Sequence, residues 1–353
     1  AGEHRLRIAI DRKWTARDVG AVSATASVTE TADPALALTP ILNARPNTVG
    51  RFTDAPLLMW YERLPLPGGT RLRYSVIFTN EDGGTPIDRL MATWGRTTDI
   101  EAVYEADIDA QGRLLADRYQ GPEHQVRPFA GRREGRHPLL WVKTDNNMVV
   151  DRGRARPRFA PAAKPFDLAG VSREAVMDAE PWTYRVTAEE ALREGKVDER
   201  ARPGSGRIPD PRRFVYLEGC GEMKDAAIAF EVAAAAPAGP DWSASDGGRP
   251  EFRIARSGCF RGAVAVPAGA AADVRALRLR AHTRLPRKDE PPLPPGTGSA
   301  RITALRLFRL GTDYVPQPPL FTWSGEIELS AKGPAWEHAI APPEDGRPAG
   351  RSR

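Results

Sequence analysis

The chain has 353 residues, 41% hydrophobic and 27% charged, a balance that belongs to a folded globular protein and excludes a disordered one. The formal net charge is +5, and only seven of the 51 basic residues are Lys. The arginines are spread along the chain without a stripe, which speaks against a nucleic-acid partner, and no run of about eighteen apolar residues offers a transmembrane segment.

In chain order, HRLRIAID (4–11) reads as a first strand, and AVSATASVTET (21–31) alternates as a second. LLMWYERL (57–64) and TRLRYSVIFTN (70–80) are strand-like runs joined by Pro67-Gly68-Gly69, a hairpin signal. TTDIEAVYEADID (97–109) and RLLADRYQ (113–120) form a second hairpin about the turn Asp109–Gly112. HPLLWVKTD (137–145) is a further strand with an apolar centre. Residues 1–150 are thus expected to form an antiparallel β-sandwich. Residues 151–212 change character. RGRARPRFAPAAKPF is Pro-rich, SREAVMDAE reads as a short helix, and TAEEALREGK carries a capping box, Thr187 with Glu190, closed by Gly195. This is the α-containing connector. From residue 213 to 340 the runs RFVYLEG, DAAIAFEVA, EFRIARSG, GAVAVP, VRALRLRAHTR, RITALRLFRL and FTWSGEIELS predict a second β-sandwich, resembling a carbohydrate-binding module. Residues 341–353 read as a flexible tail. The fold class is mostly β: two antiparallel sandwiches joined by a small connector.

Cys220 and Cys259 are an even pair without CxxC spacing, which predicts one disulfide and an oxidising compartment. The start AGEHRLRIAI lacks Met and looks like the product of signal-peptide cleavage, so secretion or the periplasm is expected.

Asp99 and Glu101 open a strand two residues apart, which puts both carboxylates on one face about 7 Å from each other. They repel unless a proton, an arginine or a cation intervenes, and Ca²⁺ or Mg²⁺ takes such oxygen ligands. The competing reading is a solvent-facing strand whose carboxylates pair with Arg96. Three further polar groups follow strand ends: Asn80, Glu81 and Asp82; His124; and Asp145, Asn146 and Asn147. Gathered at one rim they make a polar pocket; turns also favour such residues on their own account. His137, next to a Pro, reads as a turn residue. Trp242 lies in the polar loop PDWSASDGG, either as a platform for stacking on a sugar or as an anchor for the loop. The chain has no GxSxG elbow, no P-loop and no dinucleotide fingerprint.

The order RLRYSVIFTNED, GRTTDIEAVYE, YQGPEHQ, GRHPLLWVKTDNNM resembles the layout of two related β-sandwich families, the necrosis- and ethylene-inducing-peptide-like proteins and the plant vacuolar-sorting-associated-protein-like family. Gly95, Asp99 and Glu101 match the Gly, Asp and Glu of the Gly-His-Arg-His-Asp-Trp-Glu heptapeptide of the first. Arg96 and Thr98 replace its two histidines, and Ile100 its Trp. The resemblance covers under a third of the chain. It implies a divalent cation at Asp99 and Glu101, with His124 as the later His.

The expected function is that of a secreted, non-catalytic recognition protein with a cation-assisted polar pocket for a glycan or glycolipid head group. Asp99, Glu101 and His124 are the candidate metal ligands, and Arg96, Asp82, Asp145, Asn146 and Trp242 the candidate ligand-binding residues. The alternative is a secreted polysaccharide hydrolase in which Asp99 or Glu101 works with Asp82 or Asp145 as an acid/base pair. An enzyme needs one carboxyl protonated near neutral pH, whereas a cation site needs both ionised.

Overall fold

The computed structural model describes residues 33–45, 55–154, 158–234 and 241–340. The strands expected at 4–11 and 21–31 and the tail at 341–353 lie outside these residues.

Asp33 caps a short helix, α1 (Pro34–Ala37), its Oδ1 accepting the Ala35 amide at 2.9 Å. The strands that follow are β1 (Ile41–Asn43), β2 (Pro56–Leu66), β3 (Gly69–Phe78), β4 (Ile100–Asp109), β5 (Leu114–Gln120), β6 (Val126–Pro128), β7 (Arg133–Glu134), β8 (His137–Val142), β9 (Val149–Val150), β10 (Arg158–Phe159) and β11 (Lys164–Pro165). They form two sheets. One has the order β11-β2-β3-β4-β5-β6; the other has the order β10-β1-β8-β7, with β9 on β8. Both expected hairpins are present. Register pairs Leu66 with Gly69, so Pro67 and Gly68 make the first corner, and Gly68 takes the φ of +78° that a Cβ would disfavour. Pairing is antiparallel except at β1/β8 and β11/β2, two short parallel contacts made by chain that returns from the far side. Tyr61, Tyr74, Tyr104 and Leu140 belong to the core between these sheets.

Helix α2 (Ile87–Trp94) lies between β3 and β4, where the sequence reading placed no element. It buries Ile87, Leu90 and Met91, and Gly95 ends it at φ +60°. A Cβ on Gly95 would lie 2.8 Å from Arg261 Cγ, so glycine is required here by space as well as by φ. The connector holds α3 (Ala175–Ala179) and α4 (Trp182–Arg193). Thr187 is not a cap as expected. The helix starts at Trp182, and Thr187 sits buried inside it, its hydroxyl donating to Thr183 O at 2.9 Å. Gly195 ends the run at φ +68°.

The remaining strands are β12 (Phe214–Lys224), β13 (Ala226–Ala234), β14 (Asp241–Ala244), β15 (Gly258–Ala265), β16 (Val274–Thr283), β17 (Ser299–Arg309), β18 (Phe321–Ser330) and β19 (Trp336–Ala339). They form two antiparallel four-stranded sheets, β15-β12-β17-β18 and β14-β13-β16-β19, with Phe230, Phe260, Leu277 and Leu307 in the core between them. EFRIARSG is not the strand expected. Pro250 starts a 3₁₀ turn, and only Ile254 pairs, with Ile228. Cys220 and Cys259 face each other across β12 and β15 and are disulfide-bonded. Among the described residues no helix is long and apolar enough to cross a membrane.

A third apolar cluster contains Leu58, Trp60 and Ile77 from the first half, Tyr184 from α4, and Tyr216 and Phe308 from the second. Beside it Arg261, fully buried, donates to Asp178, Glu218, the Tyr184 hydroxyl and Glu174 O. Arg306 joins the same two carboxylates. Burial opposes the charge on Asp178 and Glu218, but Arg261 outweighs it and holds both below the usual carboxylate range.

Candidate functional site

Register explains why a strand opens with two carboxylates. On β4, Ile100 faces Ile77 and Glu101 faces Val76, while Phe78 N donates to Asp99 O at 3.1 Å. A bulge then leaves Val103 extra, so Tyr104 regains Tyr74. Val76, Val103 and Tyr104 are core residues, so Glu101 continues an apolar face to its polar end.

At that end lies a cavity of about 240 Å³, lined by Glu81, Trp94, Asp99, Glu101, Gln120 and Arg173, with Arg96, Asn146 and His124 also on its wall. Asp99 is 3% exposed, Glu101 9% and Glu81 8%. Glu81 Oε1 accepts the Thr85 amide at 2.7 Å, Glu101 Oε2 accepts Gln120 Nε2 at 2.6 Å, and Asp99 Oδ2 accepts Asn147 Nδ2 at 3.1 Å. The three carboxylates are under strain as charges. Burial, and then the charge of Asp99, pushes Glu101 up to about 8 and Glu81 up to about 7. Burial raises Asp99 as well, against the opposing pull of Arg96 and the Asn147 hydrogen bond.

Arg96 does not neutralise this group. Its Nη1 donates to Glu174 Oε1 at 2.6 Å and its Nε to Thr98 O at 2.8 Å, leaving Nη2 3.8 Å from Asp99 Oδ1. Arg173 donates to Ile100 O at 3.2 Å. Trp94 lies under two guanidinium groups, those of Arg96 and Arg256, at 5.6 and 5.3 Å from the ring centre. Arg256 is itself pushed down to about 10 by burial.

Of the residues expected at a site, the fold therefore brings Arg96, Asp99, Glu101, His124 and Asn146 to one cavity. His124 stands exposed at the mouth, its Nδ1 3.3 Å from Gln120 Nε2, and so meets Glu101 only through that amide. Asn146 Oδ1 accepts the Thr144 hydroxyl at 2.7 Å. Asp82 and Asp145 are not on the lining; both pair with the buried Arg45, which ties their two loops together. Trp242 is elsewhere, on β14, with the Arg278 guanidinium 3.8 Å over its ring. His137 Nδ1 is 2.8 Å from Thr39 O, a structural contact. The sequence reading placed Glu81 in the strand-end cluster but chose Asp82 from it, and it passed over Gln120, Trp94 and Arg173. Glu81 stands in the triplet Asn80-Glu81-Asp82, and only register tells which of its acids turns inward.

The donors suit a hard cation in kind: carboxylate and amide oxygens, with one imidazole at the mouth. Asn147 carries a further sign. It is fully buried, and among the described residues its Oδ1 has no hydrogen-bond partner while its Nδ2 donates to Asp99 and to Asn80 O. Among the described residues, however, no three or more His, Cys, Asp and Glu side chains stand grouped so that they could hold a metal ion as they are.

No protein-family model matches the chain, and no curated protein matches it. Among solved structures, necrosis- and ethylene-inducing protein 2 from the causal agent of cocoa's witches' broom disease aligns at a TM-score of 0.27 and 12% identity, over 50% of this chain and 86% of that one. This is a distant resemblance of fold.

Proposed function

We propose that the protein is a secreted recognition protein whose cavity around Glu81, Asp99 and Glu101 binds an oxygen-rich ligand, a glycan or glycolipid head group, with the help of a divalent cation. The observation that carries this reading is the convergence of three buried carboxylates from the end of β3 and the start of β4 on one polar cavity. Ca²⁺ or Mg²⁺ would supply the positive charge that lets all three ionise together. Asp99 and Glu101 would hold it once their side chains close on the ion, with Glu81 beside them. Gln120, Asn146 and Arg173 would then offer hydrogen bonds to the hydroxyls of a sugar. The disulfide supports an oxidising destination.

The test is thermal unfolding in EDTA, then with Ca²⁺, Mg²⁺ or Zn²⁺, beside the Asp99→Ala, Glu101→Ala double variant. A cation that binds only the folded state raises the midpoint by mass action. A rise in the wild type that the variant lacks supports the reading and fixes the ion for a glycan-array screen. A midpoint indifferent to every ion sinks it.

A hydrolase is the second reading, favoured by Glu101, which at about 8 keeps its proton at neutral pH as a general acid does. Asp82 and Asp145 pair with Arg45 outside the cavity, so Asp99 or Glu81 would have to be the partner. Polysaccharide cleavage that disappears in Glu101→Gln would establish it.

A further inference from the structure

A second cavity, of about 330 Å³, opens where β11 leaves β2. The two strands pair only at Lys164 with Trp60 and Pro165 with Tyr61; Phe166 N then donates to Tyr61 O at 3.0 Å. Beyond that point the chain turns away and Glu62 lines the gap, together with Tyr61, Arg63, Leu64, Pro165, Phe166 and Asp167.

Glu62 is 8% exposed, and among the described residues its carboxylate takes part in no hydrogen bond and no ion pair. Buried acids elsewhere in this chain are held, as Glu174 is by Arg96 and Glu218 by Arg261. The cations around Glu62 are committed to other groups. Arg63 pairs with Asp33 at 2.7 Å and lies over the Tyr61 ring, Arg73 pairs with Glu105 at 2.8 Å, and Arg173 donates to Ile100 O. Burial raises the Glu62 carboxyl first of all; the charges of Arg73 and Arg173 pull it back, and those of Asp167 and Glu105 add to the rise. Arg73 stands opposite Glu62 in register, yet among the described residues no cation comes within ion-pair distance of its carboxylate, which faces the cavity.

The rest of the lining says which ligand. One buried carboxylate and one exposed carboxylate are too few oxygens for a metal ion. Leu64, Pro165 and Phe166 supply apolar wall beside them, as suits a charged head on a hydrocarbon stem. We propose that this cavity binds a primary alkylammonium group, with Glu62 as its buried counter-charge and Asp167 at the mouth. The site is separate from the carboxylate cavity, although the charge of Arg173 acts on the acids of both, and its test needs no cation there.

The experiment titrates the full chain at pH 8, by NMR or calorimetry, with Nα-acetyl-lysine methylamide, with its neutral Nε-acetylated counterpart and with ethanolamine. Saturable binding of the lysine derivative is expected, at least tenfold weaker for the neutral probe and for the charged probe on Glu62→Gln. Ethanolamine separates a short head-group amine from one on a long stem; with no stem to cover the apolar wall, it is expected to bind less tightly. Glu62→Gln is expected to unfold at or above the wild-type temperature, because burial disfavours the charge more than Arg73 and Arg173 favour it. Equal binding of charged and neutral probes, or none by the wild type, overturns the proposal. So does a destabilised Glu62→Gln, which would make Glu62 a structural counter-ion of the neighbouring arginines.

Discussion

Replacing Glu101 by Gln removes one of the three crowded acids and leaves its shape, and the effect on stability is expected to depend on pH. The carboxyl titrates at about 8 in the fold against an ordinary 4.5. Between these values the folded chain holds a proton that the unfolded chain has released. The contribution of Glu101 is therefore whole below pH 4.5 and is lost as pH rises through about 8. At 1.36 kcal/mol per decade, the wild type loses up to about 5 kcal/mol relative to the variant across that window. Glu81 and Asp99 titrate in both proteins and are coupled to the same cluster, so the difference reports the relief of the cluster as well as Glu101 itself. Urea unfolding in EDTA at pH 5 and pH 9 measures it: the gap between Glu101→Gln and wild type should shift in favour of the variant by about 2–5 kcal/mol. A gap that moves by less than about 1 kcal/mol would mean that Glu101 ionises freely, and the account of three mutually opposed carboxylates would be wrong.

Two further outcomes are expected. Arg261→Leu should cost about 3–5 kcal/mol in urea unfolding, because Asp178 and Glu218 lose a buried counter-charge and keep only Arg306; a cost below about 1 kcal/mol would show that Arg306 alone suffices. The Cys220→Ser, Cys259→Ser variant should lose about 4 kcal/mol, the chain-entropy value for a loop of sequence separation 39, and an unchanged midpoint would contradict that account.

The strand pattern was legible where one face is buried. The alternation from Tyr104 to Ile108 and the Pro-Gly corner after Leu66 specify hairpins whatever surrounds them. Helix α2 was legible too, and was missed: Ile87, Leu90, Met91 and Trp94 keep a helical spacing, Pro86 precedes them and Gly95 follows. The Thr187 capping box failed for the opposite reason. A local signal that fits a helix start was overridden by packing of Thr183 and Tyr184, which extend the helix backwards. Asp99 and Glu101 could be read as a pair from their spacing. Their partners could not, because Glu81, Gln120 and Arg173 reach the cavity from strand ends and a connector whose register depends on tertiary pairing.

Glu174 has a place in the molecule that no other residue shares in the same way. Its carboxylate holds Arg96 on the wall of the carboxylate cavity, while its own carbonyl accepts from Arg261 of the second half. Cutting the chain at residue 150 would leave Asp99 and Glu101 in place but strip Arg96 of its anchor and free it to swing onto Asp99. Such a fragment would carry the acids of the site with their charge already answered. The cavity is thus not a portable module. Its unanswered acidity is maintained by residues beyond position 150, Glu174 and the Arg261 that holds its carbonyl.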